Sequence, residues 1–211
     1  MKKLLLVAVL GCSLAASAEY NRSASWSGWW SPIGVEFVSL PFQIPFPAGS
    51  VYGVRTCAAG FYMENMDVMG IDVSVVGVAR EAEYGIQAGG VNIVDGTCAG
   101  IQAGLIDWDN AMYGLQVGAV NLDKAMYGMQ VGVVNVNAED CVGLALGALN
   151  VDEKSFMGIS IGAVNVADEA EGIQIGVVNY AKKMHGLQLG VFNAITTGNT
   201  IPLMILMNGS F

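Results

Sequence analysis

From Gly85 onward, apolar and polar side chains alternate in short bursts. Ile173 and Ile175 flank Gln174, and Leu187 and Leu189 flank Gln188. Alternation with a period of two over so short a span marks a β-strand, because successive side chains leave a strand on opposite faces. Each burst also carries two glycines, and each would cost a helix about 1 kcal/mol. Val and Ile are frequent and suit strands. The pattern predicts an all-β fold.

The bursts are copies of one unit. It reads GIQAGGVN from Gly85, GIQAGLID from Gly100, GLQVGAVN from Gly114 and GMQVGVVN from Gly128. It continues as GLALGALN from Gly143, GISIGAVN from Gly158, GIQIGVVN from Gly172 and GLQLGVFN from Gly186. Starts lie 14 or 15 residues apart, and an imperfect unit at Gly70 to Val76 precedes them by 15. Gly53-Val54-Arg55 reads as an older copy. The expected division is a signal peptide over 1–18, an N-terminal cap or first strands over 19–69, tandem β repeats over 70–193, and a C-terminal cap or strand over 194–211. The cap segment carries Trp26, Trp29 and Trp30, with Pro41 and Pro45. A solenoid needs such a cover on its terminal coil.

Two architectures can house these strands. In a parallel β-solenoid each unit is one coil and equivalent residues stack. Gln87, Gln102, Gln116, Gln130, Gln174 and Gln188 then form one ladder, interrupted at Ala145 and Ser160. Asn92, Asn121, Asn135, Asn150, Asn165, Asn179 and Asn193 form a second, with Asp107 in one place. Stacked amides bond to one another along the axis. Glycines are expected at tight corners, where φ is positive or a Cβ would collide. In an antiparallel outer-membrane barrel each unit is one strand and a turn, apolar toward lipid and polar toward the lumen. Phe211 as an aromatic terminus, and Tyr84, Tyr113 and Tyr127 as interfacial girdles, fit that alternative. The phase of the repeat opposes it. Antiparallel neighbours run in opposite directions, so a barrel has no reason to keep one unit identical strand after strand. The solenoid is the favoured reading.

From Gly70 to Asn193 the tandem units resemble a family of bacterial surface-repeat proteins known from leptospires and other bacteria, marked by GLQxGxxN at 14–15-residue spacing. The resemblance implies export and exposure at the cell surface. Departures at Asp107, Ala145 and Ser160 put the continuity of the ladders in question there.

Composition adds three constraints. Gly at 28 is about twice the usual share, while 54% of residues are apolar, so the glycines serve a folded structure. Met1-Lys2-Lys3, the apolar run Leu4 to Leu10 and Ala16-Ser17-Ala18 form the three regions of a secretory signal, with cleavage before Glu19. Leu10-Gly11-Cys12 offers a competing site that would leave Cys12 lipidated, and either route exports the chain. The location is then the cell surface, outer membrane or periplasm. The net charge is −9, and an acidic surface repels phosphate backbones, so no nucleic-acid partner is expected. The acids cluster between units, as in Asp152-Glu153 and Asp168-Glu169, and read as solvated turns.

Nothing in the sequence points to catalysis, a cofactor or a metal. The one histidine, His185, reads as an exposed turn residue, and no triad or zinc motif surrounds it. The glycines recur with the repeat and form no GxGxxG at a strand-to-helix junction. Asp107 and Asp109 could hold a cation or flank a sugar, but read better as solvation around Trp108. Cys98 and Cys141 occupy equivalent places three units apart, about 14 Å at strand spacing, too far for a disulfide. The expected function is an exported structural or interaction module that presents a flat ladder face to a protein or glycan. A small outer-membrane barrel acting as pore or anchor is the alternative, and a carbohydrate-acting β-helix protein a remote one.

Overall fold

The computed structural model describes residues 30–36, 50–57, 67–79, 81–198 and 202–211. The signal segment, Cys12 and most of the Trp26–Pro47 segment lie outside them. Among the described residues nine strands follow one another: β1 (Trp30–Glu36), β2 (Ser50–Cys57), β3 (Asp67–Ala79), β4 (Ala82–Val131), β5 (Val134–Asn137), β6 (Asp140–Leu146), β7 (Leu149–Ile161), β8 (Val164–Ile195) and β9 (Leu203–Ser210). The lengths of β4 and β8, 50 and 32 residues, arise because the chain rounds its corners without leaving the ladder.

Pairing is parallel from β1 to β8, unit on unit. Gly53 lies beside Gly70, Gly70 beside Gly85, Gly128 beside Gly143 and Gly143 beside Gly158. The units at Gly53 and Gly70, faint in the sequence, therefore sit in full register. The fold is a parallel β-solenoid of about eight turns, and the antiparallel barrel is set aside because its pairing is absent from these coils. Only β9 runs antiparallel, crossing the last coil over Gly186 to Ala194. It bends as it crosses, with Leu206 at φ +72°.

The leading glycines lie inside strands, which corrects their expected place at corners. Their need for glycine is steric all the same. All ten from Gly53 to Gly186 hold φ between +127° and +147°. A Cβ on Gly143 would stand 1.9 Å from the Gly128 carbonyl oxygen one coil below. The second glycine turns in three of the units, at the bends of Gly132, Gly147 and Gly162. There the coil's own asparagine folds over it, and a Cβ on Gly147 would meet Asn150 Oδ1 at 2.7 Å.

The distribution of side chains inverts the usual one. Glutamines and asparagines of the repeat are buried. One apolar column joins them inside, two residues ahead of the leading glycine, through Cys98, Met112, Met126, Cys141 and Phe156. Cys98 and Cys141 are free thiols. The apolar residues that flank each glutamine face outward: Ile86, Ile101, Val117, Met129, Ile159 and Ile175 are each 38–43% exposed.

Gly143→Ala is expected to destabilise the protein by at least about 3 kcal/mol, because backbone oxygen and positive φ both oppose a Cβ. Denaturant unfolding would measure it, and a loss below about 1 kcal/mol would contradict the close contact.

Candidate functional site: the polar core

Two amide ladders run along the solenoid axis with opposite polarity. In the asparagine ladder each Nδ2 donates toward the following coil: Asn121 to Asn135 Oδ1 at 2.7 Å, Asn135 to Asn150 at 2.7 Å, and Asn150 to Asn165 at 2.8 Å. Asn165 to Asn179 and Asn179 to Asn193 continue it at 2.8 Å each. Each of these donors except Asn193 also reaches a backbone carbonyl of the next coil, as Asn121 does to Val131 at 3.1 Å. In the glutamine ladder Nε2 donates to the preceding coil: Gln102 to Gln87 at 2.8 Å, Gln116 to Gln102 at 2.9 Å, Gln130 to Gln116 at 2.8 Å and Gln188 to Gln174 at 2.8 Å. The amides named from the sequence are thus brought together, but inside, so no ladder face is available to a partner. Ala145 and Ser160 break the glutamine column between Gln130 and Gln174, and Ser160 Oγ instead donates to Asn165 Oδ1 at 2.8 Å.

Asp107 takes an asparagine's place and changes the chemistry there. Asn92 Nδ2 donates to its Oδ1 at 2.7 Å, as along the rest of the ladder. Its Oδ2 then stands where the neighbouring asparagines carry an N–H, facing Asn121 Oδ1. Both atoms lie within 2.6 Å of the point where a Cβ on Gly118 would sit, and neither has a hydrogen-bond partner. Two bare acceptors repel. A proton on Asp107 Oδ2 converts the pair into a donor and an acceptor and closes the ladder. Burial favours that proton, lifting the Asp107 carboxyl to about 6.

A further polar column, unread in the sequence, lies two residues beyond the asparagines: Asp109, Asp123, Asn137 and Asp152. All are buried, which overturns the expectation that Asp107 and Asp109 are solvated beside Trp108 and that Asp152 marks an open turn. The alternation simply continues past each unit, as in Asn121-Leu122-Asp123 and Asn150-Val151-Asp152, and that was the available signal. Gln116 Nε2 lies 2.9 Å from Gln102 Oε1, 2.9 Å from Asp109 Oδ2 and 3.0 Å from Asp123 Oδ1. Its two hydrogens cannot serve three acceptors, so a proton on the Asp109 and Asp123 pair relieves the excess, and burial favours that proton. Burial raises Asp109 and Asp152 to about 7 and Asp123 well above its usual range.

The earliest coils add a different cluster. Arg55 pairs with Asp72 beneath the glutamine ladder, Ser74 Oγ donates to Asp72 at 2.5 Å, and Gln87 reaches Asp72 at 3.4 Å. Glu83, in the apolar column, has no partner for either oxygen, and burial lifts it to about 9. His185 is exposed as read. Among the described residues no three of His, Cys, Asp and Glu gather as metal ligands. This core can bind its own coils together and hold protons. Its atoms are closed to solvent and so offer nothing to a substrate.

In class, the chain is a parallel β-solenoid with an amide-laddered polar core. No protein-family model, curated protein or solved structure matches it.

Asp107, Asp109, Asp123, Asp152 and Glu83 have folded values above their unfolded ones, so the folded state binds the extra protons. Their stabilising effect is present in acid and is lost as pH rises from about 4 through 6 to 7, and through 9 for Glu83. The melting temperature should fall steadily from pH 5 to pH 9. Asp107→Asn supplies the missing donor without a proton and is expected to stabilise by ~1–3 kcal/mol at pH 8 and by little at pH 4. Thermal melts of both proteins across that range would show it, and a pH-independent difference would contradict the protonated ladder.

Proposed function

We propose that the protein is an exported structural or interaction module that works through its apolar exterior. One observation carries this reading. The polar side chains of the repeat are spent on the core, and the outward columns through Ile86, Met129, Ile159 and Ile175 are left open to whatever lies beside the protein. Contiguous apolar surface of that kind marks an interaction face. The sequence signal at the amino terminus supports export, and the likeness to surface-repeat proteins supports the cell envelope as the destination.

The pore reading loses its basis with the barrel. The coils close on stacked side chains and leave no lumen among the described residues. A carbohydrate-acting enzyme would need charged groups converging on a groove. Here the exposed charges pair along one edge, Lys182 with Asp168 and Lys183 with Glu169, each at 2.5 Å.

Fractionation of the producing cell tests the proposal. The expected result is a processed chain in the envelope fraction, and a triple variant Met129→Thr, Ile159→Thr, Ile175→Thr that is still exported and folded but released from it. Unprocessed protein in the cytoplasm would refute the export reading, and unchanged retention of the triple variant would refute the role of the exterior.

A further inference from the structure

Around one coil the outer surface changes in a fixed order. One edge is charged, with Lys124, Glu139, Lys154, Glu169 and Lys182 exposed along it. Next to that edge on one broad face, immediately before the leading glycines, stand Tyr52, Tyr84, Tyr113 and Tyr127, with Tyr113 and Tyr127 stacked at 4.8 Å, and the exposed Glu171 and His185 take the same place in the last coils. On the other face Trp108 and Tyr180 border the charged edge, one residue past the asparagine position, where Leu122, Val136, Val151 and Val166 stand in other coils. Beyond both belts the surface is aliphatic. It culminates at the opposite corner in Leu105, Val133 and Val177, exposed by 66%, 58% and 52%.

We infer that this surface is built for a lipid bilayer, into which the solenoid dips corner-first with its axis in the membrane plane. The inference rests on the interaction role proposed above and names its partner. Charge, then amphipathic Tyr and Trp, then aliphatics is the order of polarity met on descending from water through the headgroups into hydrocarbon. From Tyr127 to Val133 is six residues, about 20 Å at strand rise, against about 15 Å for one leaflet's hydrocarbon. The corner thus reaches the bilayer centre while the tyrosines stay at headgroup level. The protein lies in one leaflet and does not span.

Two features favour lipid over a protein partner or a second copy. The apolar surface wraps two faces and the corner between them, through Met129, Val133 and Val164. A flat partner covers one of these, whereas a bilayer closes around all three. Backbone polar groups, which hydrocarbon cannot satisfy, are already bonded coil to coil. The net charge of −9 selects a zwitterionic surface over an anionic one.

Flotation of the full chain with phosphatidylcholine vesicles tests this, with and without ~1 M salt, which screens electrostatic adsorption to within a few ångströms. The wild-type protein should float in both. Val133→Asp with Val177→Asp at the corner should reduce partitioning at least tenfold, with an unchanged melting curve in detergent. Lys124→Gln on the charged edge should leave it unaltered. Failure of the wild type to float, binding abolished by salt, or a corner variant that floats as well as wild type would each overturn the inference. A soluble oligomer that ignores vesicles would do so as well, and would point to a second copy as the occupant. Export measured in cells is independent of all these readings. A processed envelope protein that ignores vesicles would therefore sink the lipid partner and leave the interaction module standing.

Discussion

Parallel coils one strand spacing apart place every side chain directly over its counterpart in the coil below, and this constraint governs the rest. A residue type survives in a column only if it tolerates its own kind at about 4.8 Å. Carboxamides do, because each carries a donor and an acceptor and can hand a bond to the next. Ionised carboxylates do not. Glycine survives where the carbonyl of the glycine below points at the place a Cβ would take, as at Gly128 beneath Gly143. The repeat Gly-x-Gln-x-Gly-x-x-Asn thus marks the columns where only those residues fit, with apolar residues free to vary between them.

Because the amides fill the centre, the hydrophobic effect cannot hold this fold in the ordinary way. The inner apolar column through Met112, Met126 and Phe156 contributes, but most of the branched aliphatics face out. Cohesion comes from axial hydrogen bonds, each worth about 1 kcal/mol net and stronger for being in a region of low polarity. The same economy leaves the exterior apolar. Interior and exterior are therefore one fact seen from two sides: a strand that alternates Gln with Ile must turn one of them outward, and the amide, which stacks on itself, goes in.

The sequence disclosed the solenoid through constant phase and spacing, and it disclosed both ladders residue by residue. It did not disclose which way they face. Alternation fixes that Gln174 and Ile175 lie on opposite sides of a strand but assigns neither side, and the habit of placing apolar residues inside gives the wrong answer here. Asp107, Asp109 and Asp152 were misread for a related reason: an isolated acid in a Gly- and Asn-rich stretch resembles a solvated turn until the coil shows that it shares a column with Asn121 or Asn137. The leading glycines were legible as steric necessities and illegible as strand residues, since only the pairing of Gly128 with Gly143 shows the chain passing straight through.

The buried acids are unevenly spread, and their placement separates two regimes in one structure. From Asn165 to Asn193 the asparagine ladder is unbroken, and the column beside it has become Ala167, Ala181 and Ile195. From Arg55 to Asp152 buried carboxyls occupy several columns: Asp72 beneath the glutamines, Glu83 in the apolar column, Asp107 among the asparagines, and Asp109, Asp123 and Asp152 beside them. A carboxyl in these columns is tolerable only with a proton or a cation, and the single buried cation among the described residues, Arg55, is engaged by Asp72. The others depend on protons taken from solvent when the coils close. The earlier coils thus fold with an uptake of protons that the later coils do not need, so the two ends of a continuous, nearly uniform solenoid differ in how they respond to acidity. That difference follows from five side chains, with no change in backbone architecture.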